Sequence, residues 1–164
     1  MVEFALIALV FFTLIFGIIE FARVMFVYNT LVEATRRGAR VAAVCPVSAG
    51  GILQAQRVTI FDDPAGGGNP LLGLTTADVD VKYYEDDMTE VAAPIGNIIS
   101  EDYDKIDFVQ VEILPTFTHT LIIPLIGNTF SVPPVVTKLP SESLGRVSPE
   151  NPVTQRCCYG VCVS

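Results

Sequence analysis

The chain has 164 residues, of which 51% are hydrophobic, and a formal net charge of −8. Residues 1–40 hold four Arg and three Glu, a net of +1, whereas the other 124 residues hold six basic and fifteen acidic side chains, a net of −9. This balance argues against binding nucleic acid over an extended basic surface, and the length allows one domain with an appendage.

The first predicted element is a long apolar segment at the N-terminus. Sixteen uncharged residues lie between Glu3 and Glu20, and mostly apolar residues follow around Arg23. Because a bilayer core of about 30 Å needs about 20 helical residues, residues 1–28 are long enough to cross a membrane. The sequence has no second stretch of this kind.

The helical pattern continues in the stretch NTLVEATRRGARVAAV, where apolar and charged residues recur with the spacing of an amphipathic helix. Since no proline occurs before Pro46, we predict one continuous helix over residues 2–44, about 65 Å long. That is about twice a bilayer core, so we expect its second half to lie against a globular head. The predicted parts are the helix 1–45, a head 46–139 and a tail 140–164.

The head is predicted to be α+β. The stretch ILQAQRVTIF fits a short helix or a strand, and we favour the helix, while DDPAGGGNP is a loop by its Gly and Pro content. Alternating apolar residues predict a strand from Val79 and a second strand beginning near Ile106.

The stretch PTFTHTLIIPLIGN reads as an apolar connection, and TFSVPPVVTKL as a third strand. This third strand should be kinked or at an edge because of Pro133 and Pro134. A three-stranded antiparallel sheet needs cover on one face, and the amphipathic half of the helix is the available element.

Four cysteines indicate the compartment. Cys45 follows the long helix, and three more end the Pro-rich tail: Cys157, Cys158 and Cys162. An even number beside a membrane-crossing segment is typical of disulfides in an oxidising space. We favour a bond from Cys45 to one of the adjacent pair, with the other cysteine of that pair bonded within the tail. A Cys3His zinc site with His119 is the alternative.

The order of motifs along the helix resembles a known family. VEFALIALVFFTLIFGIIEFARVMFVYNTLVEATRRGARVAAV is similar to the N-terminal segment of TadE-like pilins of tight-adherence secretion systems. Those proteins share a V-E-F-A start, an apolar run, G-x-I-[ED]-F-[GA]-R, then Y-N and A-x-x-G-A-R. VQVEILPTFTHTLIIPLIGNTFSV more weakly resembles their second segment. The middle loops and the cysteine tail lie outside the resemblance.

The resemblance implies the maturation and assembly pathway of a type IV pilin. A precursor in the inner membrane, with its head outside the cytoplasm, is cut by a prepilin peptidase after a short basic leader ending in Gly. The mature subunit then joins an extracellular helical filament of identical chains. Pilins generally carry a glutamate at the fifth mature position, whereas Glu3 is third here. Either the cut falls two residues closer or the true start precedes Met1.

A conflict in charge also predicts a leader. Arg36, Arg37 and Arg40 would hold their end of the helix in the cytoplasm by the positive-inside rule, whereas disulfides and an acidic head belong outside. We expect a precursor with several Lys or Arg and a Gly before Met1, because such a leader would reverse the bias.

Under this resemblance, Glu3 is predicted to pair with the α-ammonium of Met1 in another copy. An unpaired charge in the membrane costs about 3 kcal/mol on insertion scales, and pairing offsets much of it. The plainer interpretation places Glu3 in the cytosolic head-group zone. Glu20 and Arg23, three residues apart, can neutralise each other at the outer membrane edge or form a second contact between subunits.

The remaining assembly candidates have two interpretations each. Gly17 either allows close helix approach or locally melts the helix. The phenylalanines are predicted to pack in a filament core, with lipid-facing anchors as the alternative; they are Phe4, Phe11, Phe12, Phe16 and Phe21.

No catalytic constellation is visible, so an enzyme is not expected, and neither is a cofactor. Asp102, Asp104 and Asp107 are weak calcium candidates, but their spacing does not match an EF-hand and solvated loops are favoured. We therefore expect a structural filament subunit used for adhesion, surface contact or secretion. The alternative is a monomeric single-pass envelope protein whose head binds a partner.

Overall fold

The computed structural model describes residues 2–64, 66–93, 95, 104–115, 118–120 and 129–144. Helix α1 spans Val2–Val44 and helix α2 spans Ala49–Thr59. Short 3₁₀ turns follow at Leu71–Gly73 and Thr76–Asp78. The strands are β1 Val79–Tyr84, β2 Glu90–Val91, β3 Phe108–Ile113, β4 Thr118–Thr120, β5 Thr129–Ser131 and β6 Val135–Pro140.

Helix α1 confirms the prediction of a single helix over residues 2–44. It ends where Pro46 has no N–H to continue the helical ladder. The carbonyl of Ala43 near this end accepts backbone hydrogen bonds from Glu142 at 3.2 Å and Leu144 at 3.3 Å. The segment after β6 therefore satisfies a carbonyl that the last turn of a helix leaves open.

Helix α2 confirms the favoured interpretation of ILQAQRVTIF. Ser48 is its N-cap, and the side-chain hydroxyl accepts a hydrogen bond from the backbone N–H of Gly51 at 3.2 Å. A side chain at Gly51 would overlap the Pro46 carbonyl, so the tight turn between the helices requires glycine there. The Gln56 amide donates to the Val79 carbonyl at 2.9 Å and ties α2 to the start of β1.

The main sheet has four antiparallel strands in the order β2-β1-β3-β6. Its central register pairs Val81 with Val111 and Val111 with Thr137. Alternate residues of β1 face the core: Val79, Val81 and Tyr83 are buried, whereas the residues between them are half-buried. The α+β class, a long N-terminal helix with a small antiparallel sheet, is confirmed.

The strand predictions were wrong in two places. The stretch TFSVPPVVTKL is not one kinked strand, because β5 and β6 belong to different sheets and residues 132–134 between them are in neither. Its second part, β6, is at an edge of the main sheet, which confirms the predicted edge position. Pro133 and Pro134 lack the N–H that a ladder needs, so they separate the strands. The connection PTFTHTLIIPLIGN contains β4, which pairs with β5 in a two-stranded sheet.

The core lies between one face of the sheet, α2 and the second half of α1. From α1, Leu31, Ala34, Ala39 and Ala42 have no exposed surface, and from the sheet Val109 and Val111 have none. This confirms that the amphipathic half of the helix covers the sheet. Residues 145–164, which hold three of the four cysteines, lie outside the described residues.

Candidate assembly surface

The first half of α1 exposes nearly all of its apolar side chains. Between Val2 and Phe26, Glu20 is the one buried residue among those described. Large side chains are more than half exposed along this segment, among them Phe4 at 78%, Ile7 at 68% and Phe26 at 67%. Soluble monomers rarely expose a continuous apolar surface of this size, so this half of α1 requires an apolar environment.

One helix among the described residues is long and apolar enough to cross a membrane, and it is α1. The most apolar stretch of α1 is not buried at any position. A core helix of a soluble protein would be mostly buried, so α1 differs from such a helix in its first half. Length and composition fit a membrane span.

Three of the candidate phenylalanines come together on the exposed half. The rings of Phe11 and Phe12 meet edge to face at 5.6 Å, and those of Phe12 and Phe16 stack at 6.3 Å. Phe4 lies about two turns nearer the N-terminus and is the most exposed of the set. The structure therefore forms a cluster of three aromatic rings, and whether other chains or lipid cover it stays a prediction.

Glu3 lies in the first turn of α1 and its side chain is exposed. Within a single chain, the carboxylate is favourable there because the N-terminus of a helix carries partial positive charge. Met1, its predicted partner in another copy, is outside the described residues. Nothing within 4 Å would meet a side chain at Gly17, so close helix approach at that glycine also stays a prediction.

Glu20 and Arg23 form the predicted ion pair, with the Arg23 Nη1 donating to both Glu20 carboxylate oxygens at 3.3 Å. The burial of Glu20, which is only 6% exposed, was not predicted. A shallow hollow beside the pair is lined by Leu72 of the head together with Ile19, Ala22, Arg23, Phe26 and Val27 of α1. The connection between α2 and β1 thus reaches this level of the helix.

The 18 residues from Val2 to Ile19 extend beyond the level of this pair. At 1.5 Å per residue they measure about 27 Å, close to the thickness of a bilayer core. The Glu20–Arg23 pair therefore lies where the outer edge of a membrane would fall if the exposed half spans it. The sequence contained the spacing for the pair but no signal for Leu72, whose position depends on the fold of the head.

Cys45 is 1% exposed and carries a disulfide bond. Its candidate partners in the tail are outside the described residues, so the pairing stays a prediction. Of the calcium candidates, Asp104 and Asp107 are exposed, and Asp102 is outside the described residues. No group of three or more His, Cys, Asp or Glu side chains comes together in the described part of the chain. His119 lies in β4, with its backbone paired to Phe130.

A helix that buries its second half in an α+β head and exposes an apolar first half fits a pilin-like protein. The model of the TadE-like protein family matches residues 1–40, which covers the exposed half of α1 and most of its amphipathic half. The resemblance of this segment is thereby confirmed, and TadE-like proteins are a pilus-associated, structural family. No curated protein and no solved structure matches the chain.

Proposed function

We propose that this chain is a structural pilin-like subunit, which is anchored in the inner membrane by α1 and then polymerises into an extracellular filament. The observation that carries the proposal is the exposed apolar half of α1 within the TadE-like segment. Each large side chain there loses about 1.5–3 kcal/mol of burial free energy in water. The exposed half must therefore lie in an apolar environment, and the bilayer before assembly and packed copies of α1 after it both provide one.

The test is electron microscopy of filaments sheared from the cell surface, with mass spectrometry of their subunit. We expect thin filaments built from this chain, which disappear when its gene is deleted. Sheared fractions without this chain would contradict the proposal. N-terminal sequencing of the filament subunit against the gene tests the leader and the prepilin peptidase, since a processed start is expected.

Within this function, Glu3 is proposed to fix the register of assembly through the α-ammonium of a neighbouring Met1. An unpaired charge in an apolar bundle raises the free energy, so a subunit docks in the register that brings its charge to the opposite charge of its neighbour. Glu3→Gln keeps the shape and removes the charge, and we expect filaments to be lost while the membrane-inserted subunit remains at its usual level. Glu3→Asp, which retains the charge, is the control and should assemble in part.

A second candidate is a monomeric single-pass envelope protein whose head binds a partner. The observation that favours it is the match between the length of the 18 residues from Val2 to Ile19 and a bilayer, with the Glu20–Arg23 pair at one edge. Chemical cross-linking in intact membranes separates the two, because neighbouring copies of α1 give a ladder of homo-oligomers and an isolated monomer does not. The head is proposed to be outside the cytoplasm, and a protease added to spheroplasts should then digest it.

A further inference from the structure

Three charged side chains lie on the face of α1 that points away from the head. Glu33, Arg36 and Arg40 follow one another at three and four residues, so they share one face of the helix. The buried residues Leu31 and Gly38 are on the opposite face. All three charged side chains are exposed. We refer to Glu33, Arg36 and Arg40 as the charged strip.

The charged strip has no partner within the described structure. The ion pairs of Arg23 with Glu20 and of Lys82 with Asp80 do not involve any member of the strip. Glu33 and Arg36 have the spacing for a pair within one helix, yet they do not form it. The neighbouring Arg37 differs, since its guanidinium lies 4.7 Å from the centre of the Phe61 ring. The strip is therefore available to another molecule.

The position of the strip argues against lipid as its partner. Arg36 lies sixteen residues beyond Glu20, which is about 24 Å along the helix. If the exposed half spans a bilayer, the strip stands well outside the head-group layer. Glu33 would also be repelled by an anionic membrane surface. A partner that places both an acid and a base against this face fits better.

We propose that the charged strip is a contact between parallel copies of this chain, in which Glu33 of one copy pairs with the arginines of another. This inference rests on the proposed polymerisation. A copy raised by three residues, about 4.5 Å, brings its Glu33 level with Arg36 of the first chain. A copy raised by seven residues, about 10.5 Å, brings Glu33 level with Arg40. If each successive copy rises about 5 Å, Glu33 of the first neighbour comes level with Arg36, and Glu33 of the second neighbour comes level with Arg40.

The same sense of stagger suits the N-terminal contact. In the proposed pairing of Glu3 with the α-ammonium of a neighbouring Met1, that neighbour is also raised, because Met1 precedes Glu3 in the chain. The Glu3 pair and the Glu33–Arg36 pair thus both need neighbours that are displaced in the same direction. A copy lowered by the same distance separates both pairs. The strip therefore specifies the direction of stagger far from the N-terminus.

The test is assembly of charge-reversed variants. Glu33→Arg gives a strip of three basic residues, and Arg36→Glu gives a strip of two acidic residues followed by the basic Arg40. Each variant alone should lower filament yield by about ten-fold or more, because like charges then face each other between copies. When the two variants are co-expressed, we expect filaments to return and to contain both chains. Asp86→Arg and Lys82→Glu are controls with the same charge changes on the head, and they should assemble normally.

The outcomes separate this inference from the proposed function. Wild-type filaments with variants that assemble as well as the controls would overturn the charged-strip contact and leave polymerisation intact. Failure of the co-expressed pair to restore filaments would also overturn the charged-strip contact. Protease resistance of each membrane-inserted variant is the folding control, and a variant with the resistance of the wild type has no folding defect. Absence of wild-type filaments would refute polymerisation, and the strip contact with it.

Discussion

Gly38 lies where α1 and α2 cross at close range. A Cβ at this position would overlap the Thr59 hydroxyl and would lie 3.3 Å from the Ala55 carbonyl oxygen. Thr59 has little room to move, because its hydroxyl donates to that carbonyl at 2.7 Å and the residue has no exposed surface. The helix spacing is therefore set by the missing side chain.

Gly38→Ala should destabilise the head despite the better helix propensity of alanine. Alanine gains about 1 kcal/mol within a helix, but forced overpacking costs about 1–3 kcal/mol, so we expect a net loss. The measurement is thermal unfolding in detergent by circular dichroism, with a fall in Tm of several degrees. Gly17→Ala is the matched control, since nothing within 4 Å would meet its side chain and the Tm should not fall. Adding Thr59→Ala to Gly38→Ala should recover part of the loss; an unchanged Tm in the single variant would contradict the crossing.

Asp87 holds the turn between β1 and β2. Its carboxylate accepts a hydrogen bond from the Thr89 backbone N–H at 2.9 Å. This bond, with a further one from the Thr89 side chain, lowers the pKa of Asp87 below its ordinary value of 3.8.

Because the folded pKa of Asp87 is below the unfolded one, its contribution to stability is present above the unfolded pKa. That contribution is lost as the pH falls through the folded pKa. We expect a carboxyl NMR titration to give a midpoint below 3.8 for Asp87, and Thr89→Val to raise it in part by removing the hydroxyl. A midpoint at or above the ordinary value would show that the turn does not hold the carboxylate.

Among the elements, α1 and β6 are joined by a pair of threonines. The Oγ1 atoms of Thr35 and Thr137 are 2.8 Å apart, and Thr35 has no exposed surface. Since the Thr35 hydroxyl donates to the Val32 carbonyl at 3.0 Å, its oxygen accepts the proton of Thr137. The long helix is thus fixed to the edge strand by a partly buried hydrogen bond as well as by apolar packing.

Thr35→Val should lower the free energy of unfolding by about 1–3 kcal/mol, because it leaves the Thr137 hydroxyl without this partner. Replacing both threonines by valine should cost less than the sum of the two single changes. A double-mutant cycle from denaturant unfolding in detergent measures this coupling. Thr35→Ser keeps the hydroxyl and serves as the control; additive single effects would mean that the two hydroxyls do not interact.

The predictability of each element followed from the length of its pattern. Helix α1 has 43 residues of continuous apolar and amphipathic spacing with no proline, so its bounds could be predicted closely. Strands β2 and β4 have two and three residues, too few for alternation to be detected. The separation of β5 from β6 depends on tertiary pairing, and the prolines indicated a kink without indicating a change of sheet.

The candidate site was predictable to the extent that it depends on one helix. The spacing of Glu20 and Arg23 indicated their pair, and the spacing of apolar residues indicated the exposed half of α1. The burial of Glu20 and the approach of Leu72 depend on where the head folds back, which local sequence does not encode.

For the whole molecule, the disulfide of Cys45 is the proposed link between the tail and the head. Cys45→Ser should lower stability by about 2–5 kcal/mol if that bond closes a loop of about 110 residues. Non-reducing peptide mapping should recover the Cys45 peptide joined to the peptide of Cys157 and Cys158. Alkylation of Cys45 in denatured, unreduced protein would contradict the link. Thr13→Ser, a conservative change on the exposed half of α1, is the control and should leave the peptide map unchanged.

The exposed half of α1 has a consequence for how subunits would be supplied to the proposed filament. In the proposed assembly, unassembled copies are stored in the plane of the bilayer, because a surface this apolar is poorly soluble in water. Elongation should then depend on the number of copies per unit of membrane area and on their lateral diffusion. Lipid tails are as apolar as neighbouring helices, so leaving the bilayer brings no gain in hydrophobic burial. If the chain polymerises as proposed, the balance between membrane-stored subunit and polymer is therefore set by side-chain packing and by matched charges along α1.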